Sequence, residues 1–377
     1  MCKFKQLHIN LFIIVNNTTM KNIFRPGHFF TAAIILVIEL ILMPAYLVNG
    51  QSSAVNGNAG LDSICKRISP TNVNAVIVDN DNVKWFSTDA GIVSFDGKNW
   101  KLHDGNGSLP NQDLKGIAYV DNPGGPELWV ASPVGATVAR LPIDDTTDAI
   151  TYHPENTPIV GKDVVGIAAG KDSILWIGTE KGISALSGGK WLTPYYDLIY
   201  PERMFKVFPI TSMATNPKGD TLYVATAGAG VVRVYRDDLD AISGASVYAQ
   251  WGPINLPSDN IRSIFIAPDG TKWFGTKKGI ARHTGNNTLD NWTVYTTDDG
   301  LVDNFVQAIC GDKKGNIWFG TKGGISVFNG SSWISYTTDN GLASNNILSI
   351  ATDHGGIVWI GTDVGISCYE NEKFFNY

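Results

Sequence analysis

Charge is scarce in this 377-residue chain. Asp, Glu, Lys and Arg make up 17% of it, with 29 basic against 35 acidic residues and a net charge of −6. No basic cluster breaks that balance, which argues against nucleic acid as a partner. Cysteine is limited to Cys2, Cys65, Cys310 and Cys368, with no C-x-x-C and no Cys/His spacing suited to a metal. Cys310 and Cys368 fall on expected strands and read as buried free thiols. A bridge from Cys65 is the alternative, and the sequence ranks no partner for it. Past residue 50 no stretch keeps a helical period for three turns. A nucleophile elbow, a phosphate loop and a dinucleotide fingerprint are also missing, so no cofactor is expected. His103, His153, His283 and His354 lie at no ligand spacing from another His, Cys or carboxylate, so no metal is expected either.

What is abundant points one way. Hydrophobic residues reach 44%, enough for a packed core, and there are 40 Gly and 11 Trp. The Trp recur in a W-x-G-T-x-x-G-I core at 273–280, 318–325, 359–366 and 176–183. A copy at 85–92 has Ser87 for the first Gly, and degenerate copies begin at Trp129 and Tyr223. Seven anchors at a spacing of roughly 40–50 residues are the mark of a propeller. Around each anchor lie four short β-branched or aromatic runs separated by Gly, Asn or Asp, which read as four hairpin-linked strands. We therefore expect an all-β, seven-bladed β-propeller of four-stranded antiparallel blades over residues 70–377.

Each repeated letter has a physical role. Trp fills the gap between sheets, removing about 150–250 Å² from water. The Gly after it leaves room for a close neighbour. Thr favours the strand and can bond the turn. The second Gly supplies positive φ for the hairpin. Thr-Asp-Asp-Gly-Leu301 and Thr-Asp-Asn-Gly-Leu342 are turn signals between blades. The last run, 373–377, supplies a fourth strand for the seventh blade, so the ring can close on complete blades.

The first 50 residues read differently. Residues 1–19 resemble an upstream extension, with Met20 an alternative start. Lys21 and Arg25 precede a mostly apolar run at 29–48, the pattern of an export signal, interrupted by Glu39. Cleavage is expected between Gly50 and Gln51. A run of this length also suits an uncleaved anchor, which would be the chain's sole membrane attachment. Residues 51–69 read as a flexible linker with a possible clasp strand at 61–69.

The motif W-[FI]-G-T-x-x-G-I, preceded by V-x-x-I-x-x-D and followed by W-x-x-Y-T-T-D-[DN]-G-L, resembles the two-component regulator propeller repeat. The resemblance covers 70–377. It implies the exported sensor portion of hybrid histidine-kinase systems, which detect extracellular molecules, often glycan fragments, on a propeller without catalytic residues. The repeats stop at Tyr377 with no second propeller, Ig-like domain or kinase in this sequence, so a free-standing exported propeller is expected: periplasmic, cell-surface or secreted.

Propeller ligands usually meet the channel mouth. The turns from second to third strand place Lys277, Lys278, Lys322, Asp363, Asp89 and Glu180 on one face. Entry to the first strands adds Asn260, Arg262, Asn304, Gln307, Asn345 and Asn346. Convergent amides, carboxylates and an Arg suit a hydroxyl-rich ligand. A second candidate is the irregular connection 191–209, with Tyr195, Tyr196, Tyr200, Arg203 and Phe205. The expected function is non-catalytic binding of a small polar ligand such as an oligosaccharide, or of an envelope protein. The alternatives are a protein–protein scaffold and a lyase resembling the streptogramin lyases. Those enzymes carry Trp-Phe-Thr-Glu where this chain has Trp-Phe-Gly-Thr, and no His and Glu of one blade can be paired here as acid and base.

Overall fold

The structure is a computed structural model. It describes residues 72–103, 114–122, 124–132, 137–142, 150–161, 163–192, 208–236, 242–249, 255–285 and 291–377. The export-signal, linker and clasp expectations, with Cys2 and Cys65, lie outside these residues.

Seven four-stranded antiparallel sheets form a ring. The blades run over 73–103, 116–152, 164–192, 210–248, 261–295, 306–336 and 347–376, each in simple meander order. The first strand of every blade packs against the first strand of the next, and the seventh blade's against that of the first, so the ring is closed. Every anchor predicted from the repeat sits on a second strand, for example Lys272–Thr276, Ile317–Thr321 and Val358–Thr362. The only helices among the described residues are single 3-10 turns.

The motif's chemistry appears atom by atom. Trp85, Trp318 and Trp359 are buried, and their indole N–H groups donate to Asp79, Asp312 and Asp353 at 2.7, 3.0 and 3.2 Å. The other carboxylate oxygen of each Asp accepts two backbone N–H groups of the turn joining first and second strands. One side chain thus shapes the hairpin and satisfies the buried indole. The Thr of the motif donates to the carbonyl three residues on, at 2.8–2.9 Å in Thr88, Thr276, Thr321 and Thr362. That carbonyl belongs to a Gly at positive φ, as in Gly324 (φ 128). Between blades the rings interlock: Trp273 meets Phe319 at 5.4 Å, Trp318 meets Tyr369 at 5.1 Å, and Trp359 meets Phe86 at 5.9 Å.

Thr-Asp-Asp-Gly and Thr-Asp-Asn-Gly form single 3-10 turns with reciprocal caps at Thr296 and Thr337, ended by Gly300 and Gly341 at positive φ. They deliver the chain to the start of blades 6 and 7, where the candidate residues lie.

A candidate binding site at the channel mouth

The first strands are interrupted in the same place. In six blades a β-bulge near the start leaves one residue out of register: Asn74, Val165, Thr211, Arg262, Gln307 and Leu348. A bulge re-aims the side chain it carries. Three of the six spend theirs on the next blade, at its first strand or the residues leading into it. Asn74 Nδ2 donates to Leu114 O at 2.8 Å, Thr211 Oγ1 to Ile261 O at 2.6 Å, and Gln307 Nε2 to Ile347 O at 2.8 Å. Arg262 occupies the same slot, but its guanidinium lies 5.8 Å from the centre of the Phe305 ring.

The turns between second and third strands lie on this same face. Their N–H groups bond the carbonyl of the residue two before the bulge: Asp89 to Asn72, Lys277 to Asn260, Lys322 to Phe305. In blade 7 the two side chains at these positions pair as amide and acid, Asn346 Nδ2 donating to Asp363 Oδ2 at 3.0 Å. Blade 1 does the same, with Asn72 and Asn74 both donating to Asp89. Glu180 of blade 3 accepts the Asp163 N–H at 2.9 Å. Each of these acids has a partner in its own blade or the loop entering it; Asp89 also lies 3.9 Å from Lys115 Nζ at the entry to blade 2, and Asp363 Oδ1 is buried without a partner.

Blades 5 and 6 reverse the chemistry. Lys277 and Lys322 stand where the acids stand, and Phe305 replaces the amide. Lys322 Nζ lies 4.5 Å and Lys277 Nζ 5.9 Å from the Phe305 ring centre, so with Arg262 three cations converge on one aromatic side chain. Among the described residues no carboxylate pairs with any of the three. Phe305 and Arg262 are half-buried and both lysines exposed. Burial without a counter-charge holds the Arg262 guanidinium below its ordinary pKa.

The residues predicted from sequence divide accordingly. Arg262, Lys277 and Lys322 are brought together, with Lys278 exposed beside them. Gln307, Asn346 and Asp363 form a chain, Gln307 Nε2 donating also to Asn346 Oδ1 at 2.9 Å. Asn260 donates to Ala227 O at 2.6 Å, while its Oδ1 has no partner. Asn304 and Asn345 are occupied with structure: each accepts the first N–H of a 3-10 turn, Thr297 at 2.9 Å and Thr338 at 2.8 Å. Tyr195, Tyr196, Tyr200, Arg203 and Phe205 lie outside the described residues. Phe305 escaped the sequence reading. Its signal was present, since aligning the repeats sets this lone aromatic against Asn72, Asn260 and Asn346.

His283 is fully buried and stacks on Trp292 at 4.5 Å. His103 is buried against Trp85, with Ser94 Oγ 2.8 Å from its Nε2. His354 is exposed in a turn between first and second strands. Cys310 and Cys368 are free and buried, and burial pushes their thiols up to about 12 and about 11. Among the described residues no group of His, Cys, Asp and Glu could hold a metal, and no helix is long and apolar enough to cross a membrane. At the opposite end of the ring a cleft of about 1020 Å³ opens between blades 6 and 7, lined by Asp312, Asn316, Trp318, Tyr336, Tyr369 and Glu370 among others.

Residues 300–323 and 341–364 match the two-component regulator propeller family. No curated protein sequence matches the chain. Among solved structures, it is similar to the extracellular domain of BT3049 from B. thetaiotaomicron, described as a hybrid two component system. Identity is 22% and the TM-score 0.61, over 82% of this chain and 39% of that one. PorZ, a surface component of the type-IX secretion system of Porphyromonas gingivalis, matches at 18% identity and TM-score 0.60, over 81% of this chain and 46% of that one. Virginiamycin B lyase from Staphylococcus aureus matches at 14% and 0.60, over 80% and 95% respectively. At these identities the likeness is one of fold, and the chain spans less than half the length of the first two.

Proposed function

We propose a role for a chain that carries two-component regulator propeller repeats: it is an exported, non-catalytic binding propeller that captures an extracellular ligand, a glycan fragment or an envelope protein, at the channel mouth. One observation carries this reading. Each acid at the mouth has a neighbouring amide, N–H or lysine as partner, whereas Arg262, Lys277 and Lys322 gather over a half-buried aromatic ring and have no acidic partner. Maintaining uncompensated cations costs stability through mutual repulsion, and a ligand relieves that cost. The charged-then-apolar N-terminal stretch supports export, as do neighbours that are extracellular domains.

The test is a glycan-array screen of the purified protein, followed by calorimetric titration of any glycan retained. Arg262→Ala is expected to weaken binding about tenfold or more, the scale of one charge-assisted contact. Unchanged affinity removes the mouth from the account. A lyase reading draws on likeness of fold alone. The scaffold reading predicts a stable envelope protein in pulldowns and an empty glycan array.

A further inference from the structure

We infer that the Phe305 cluster selects an anionic carbohydrate, one bearing carboxylate or sulfate groups on its sugar rings. This deepens the binding-propeller reading and rests on it. The argument begins with position. In blades 1 and 7 the slot between loop entry and hairpin turn is closed by an amide bonded to an acid, Asn72 to Asp89 and Asn346 to Asp363. Blade 6 replaces that pair with Phe305 and Lys322, and blade 5 adds Lys277 from its own turn and Arg262 from its bulge. The exchange gathers three cations at one sector of the rim, and the carboxylate beside them, Asp303, accepts the Phe305 N–H at 2.6 Å and forms no salt bridge with any of the three.

The aromatic ring decides between kinds of anion. Free phosphate or a lone carboxylate needs cations only. The ring is half-buried with Arg262, Lys277 and Lys322 lying over it, so a charged group that draws these side chains aside also uncovers an aromatic face for the C–H surface of a sugar. The Arg262 guanidinium is half-buried, so a carboxylate or sulfate meeting it forms a charge-assisted bond at low local dielectric. Lys277 and Lys322 are exposed on flexible stems and suit a second charge further along an oligomer.

The test titrates the full chain calorimetrically with five probes. Two are acidic saccharides, oligogalacturonate and a chondroitin-sulfate oligosaccharide, which separate carboxylate from sulfate as the source of charge. The others are fully methyl-esterified oligogalacturonate, a neutral malto-oligosaccharide and oligoglutamate. The expected result is that at least one acidic saccharide binds about tenfold or more tightly than the esterified and neutral probes, more weakly as salt rises. Lys322→Gln, at an exposed position, and Arg262→Gln should each weaken it about tenfold without lowering the unfolding midpoint, since each removes one of three mutually repelling cations. Binding of the esterified or neutral probe alone overturns the inference and leaves the glycan-binding propeller standing. Oligoglutamate binding as tightly as the saccharides overturns it in favour of an acidic polypeptide. Failure of all five overturns it together with the glycan reading.

Discussion

Lys84 and Asp353 meet at 3.3 Å with side chains only 4% and 2% exposed, one from blade 1 and one from blade 7. Lys84 also donates to Asn82 O at 2.9 Å and lies 5.6 Å from the ring centres of Phe95 and Trp359. Asp353 accepts the Trp359 indole N–H and two turn N–H groups, so neither charge is left unsatisfied. Burial alone would raise the Asp353 pKa, but the Ile357 N–H, the indole and Lys84 outweigh it and hold it below that of an ordinary carboxyl. A depressed carboxylate stabilises the fold above its unfolded pKa, and that contribution is lost as pH falls through the folded value. We therefore predict that Lys84→Met costs about 3–5 kcal/mol at pH 7, the scale of an orphaned buried charge. The deficit should shrink as Asp353 protonates in acid. Urea unfolding at pH 7 and near pH 3 checks both; a deficit under about 0.5 kcal/mol at pH 7 would place the pair among surface bridges of little consequence.

At the scale of the element, the hairpin joining second and third strands was legible because every part of it is local. Trp, Thr and a positive-φ Gly recur at fixed offsets in that order, and a hydrogen bond from the Thr hydroxyl to the Gly carbonyl three residues on closes the turn. The bulge in the first strand was not legible. It depends on the neighbouring blade's strand lying alongside, which no letter of Arg262 or Gln307 announces. Close approach between blades is likewise written only as a glycine. A Cβ on Gly361 would lie 2.5 Å from the Val73 carbonyl oxygen of blade 1, a backbone atom that cannot rotate away. Gly361→Ala is expected to cost about 1–3 kcal/mol by overpacking this joint. Gly97→Ala, at φ 98 in an open turn with nothing within 4 Å of the added atom, bears only backbone strain. Thermal unfolding of the two variants compares them; an equal loss would mean that the joint yields freely.

At the scale of the whole molecule, the blade count followed from the period, and ring closure from a seventh repeat complete in sequence. The seam is sealed by more than the ion pair. Ser349 Oγ donates to Val73 O at 3.0 Å and the His354 N–H to Asn82 Oδ1 at 2.7 Å. Trp100, Trp359 and Tyr377 pack their rings together across it. Closure fixes which face is the mouth and sets Arg262, Lys277, Phe305 and Lys322 side by side from two blades, a grouping that 60 positions of sequence separate. The same period that revealed the ring concealed the site, because a binding surface is made where repeats differ. The central claim is that this sector of the mouth is where ligand is held. Hydrogen–deuterium exchange with and without the glycan retained in the array screen tests it most directly. The account predicts slowed exchange at 260–262, 277–279 and 304–307. Protection confined to 312–316 and 355–357, around the cleft at the opposite end, would contradict it.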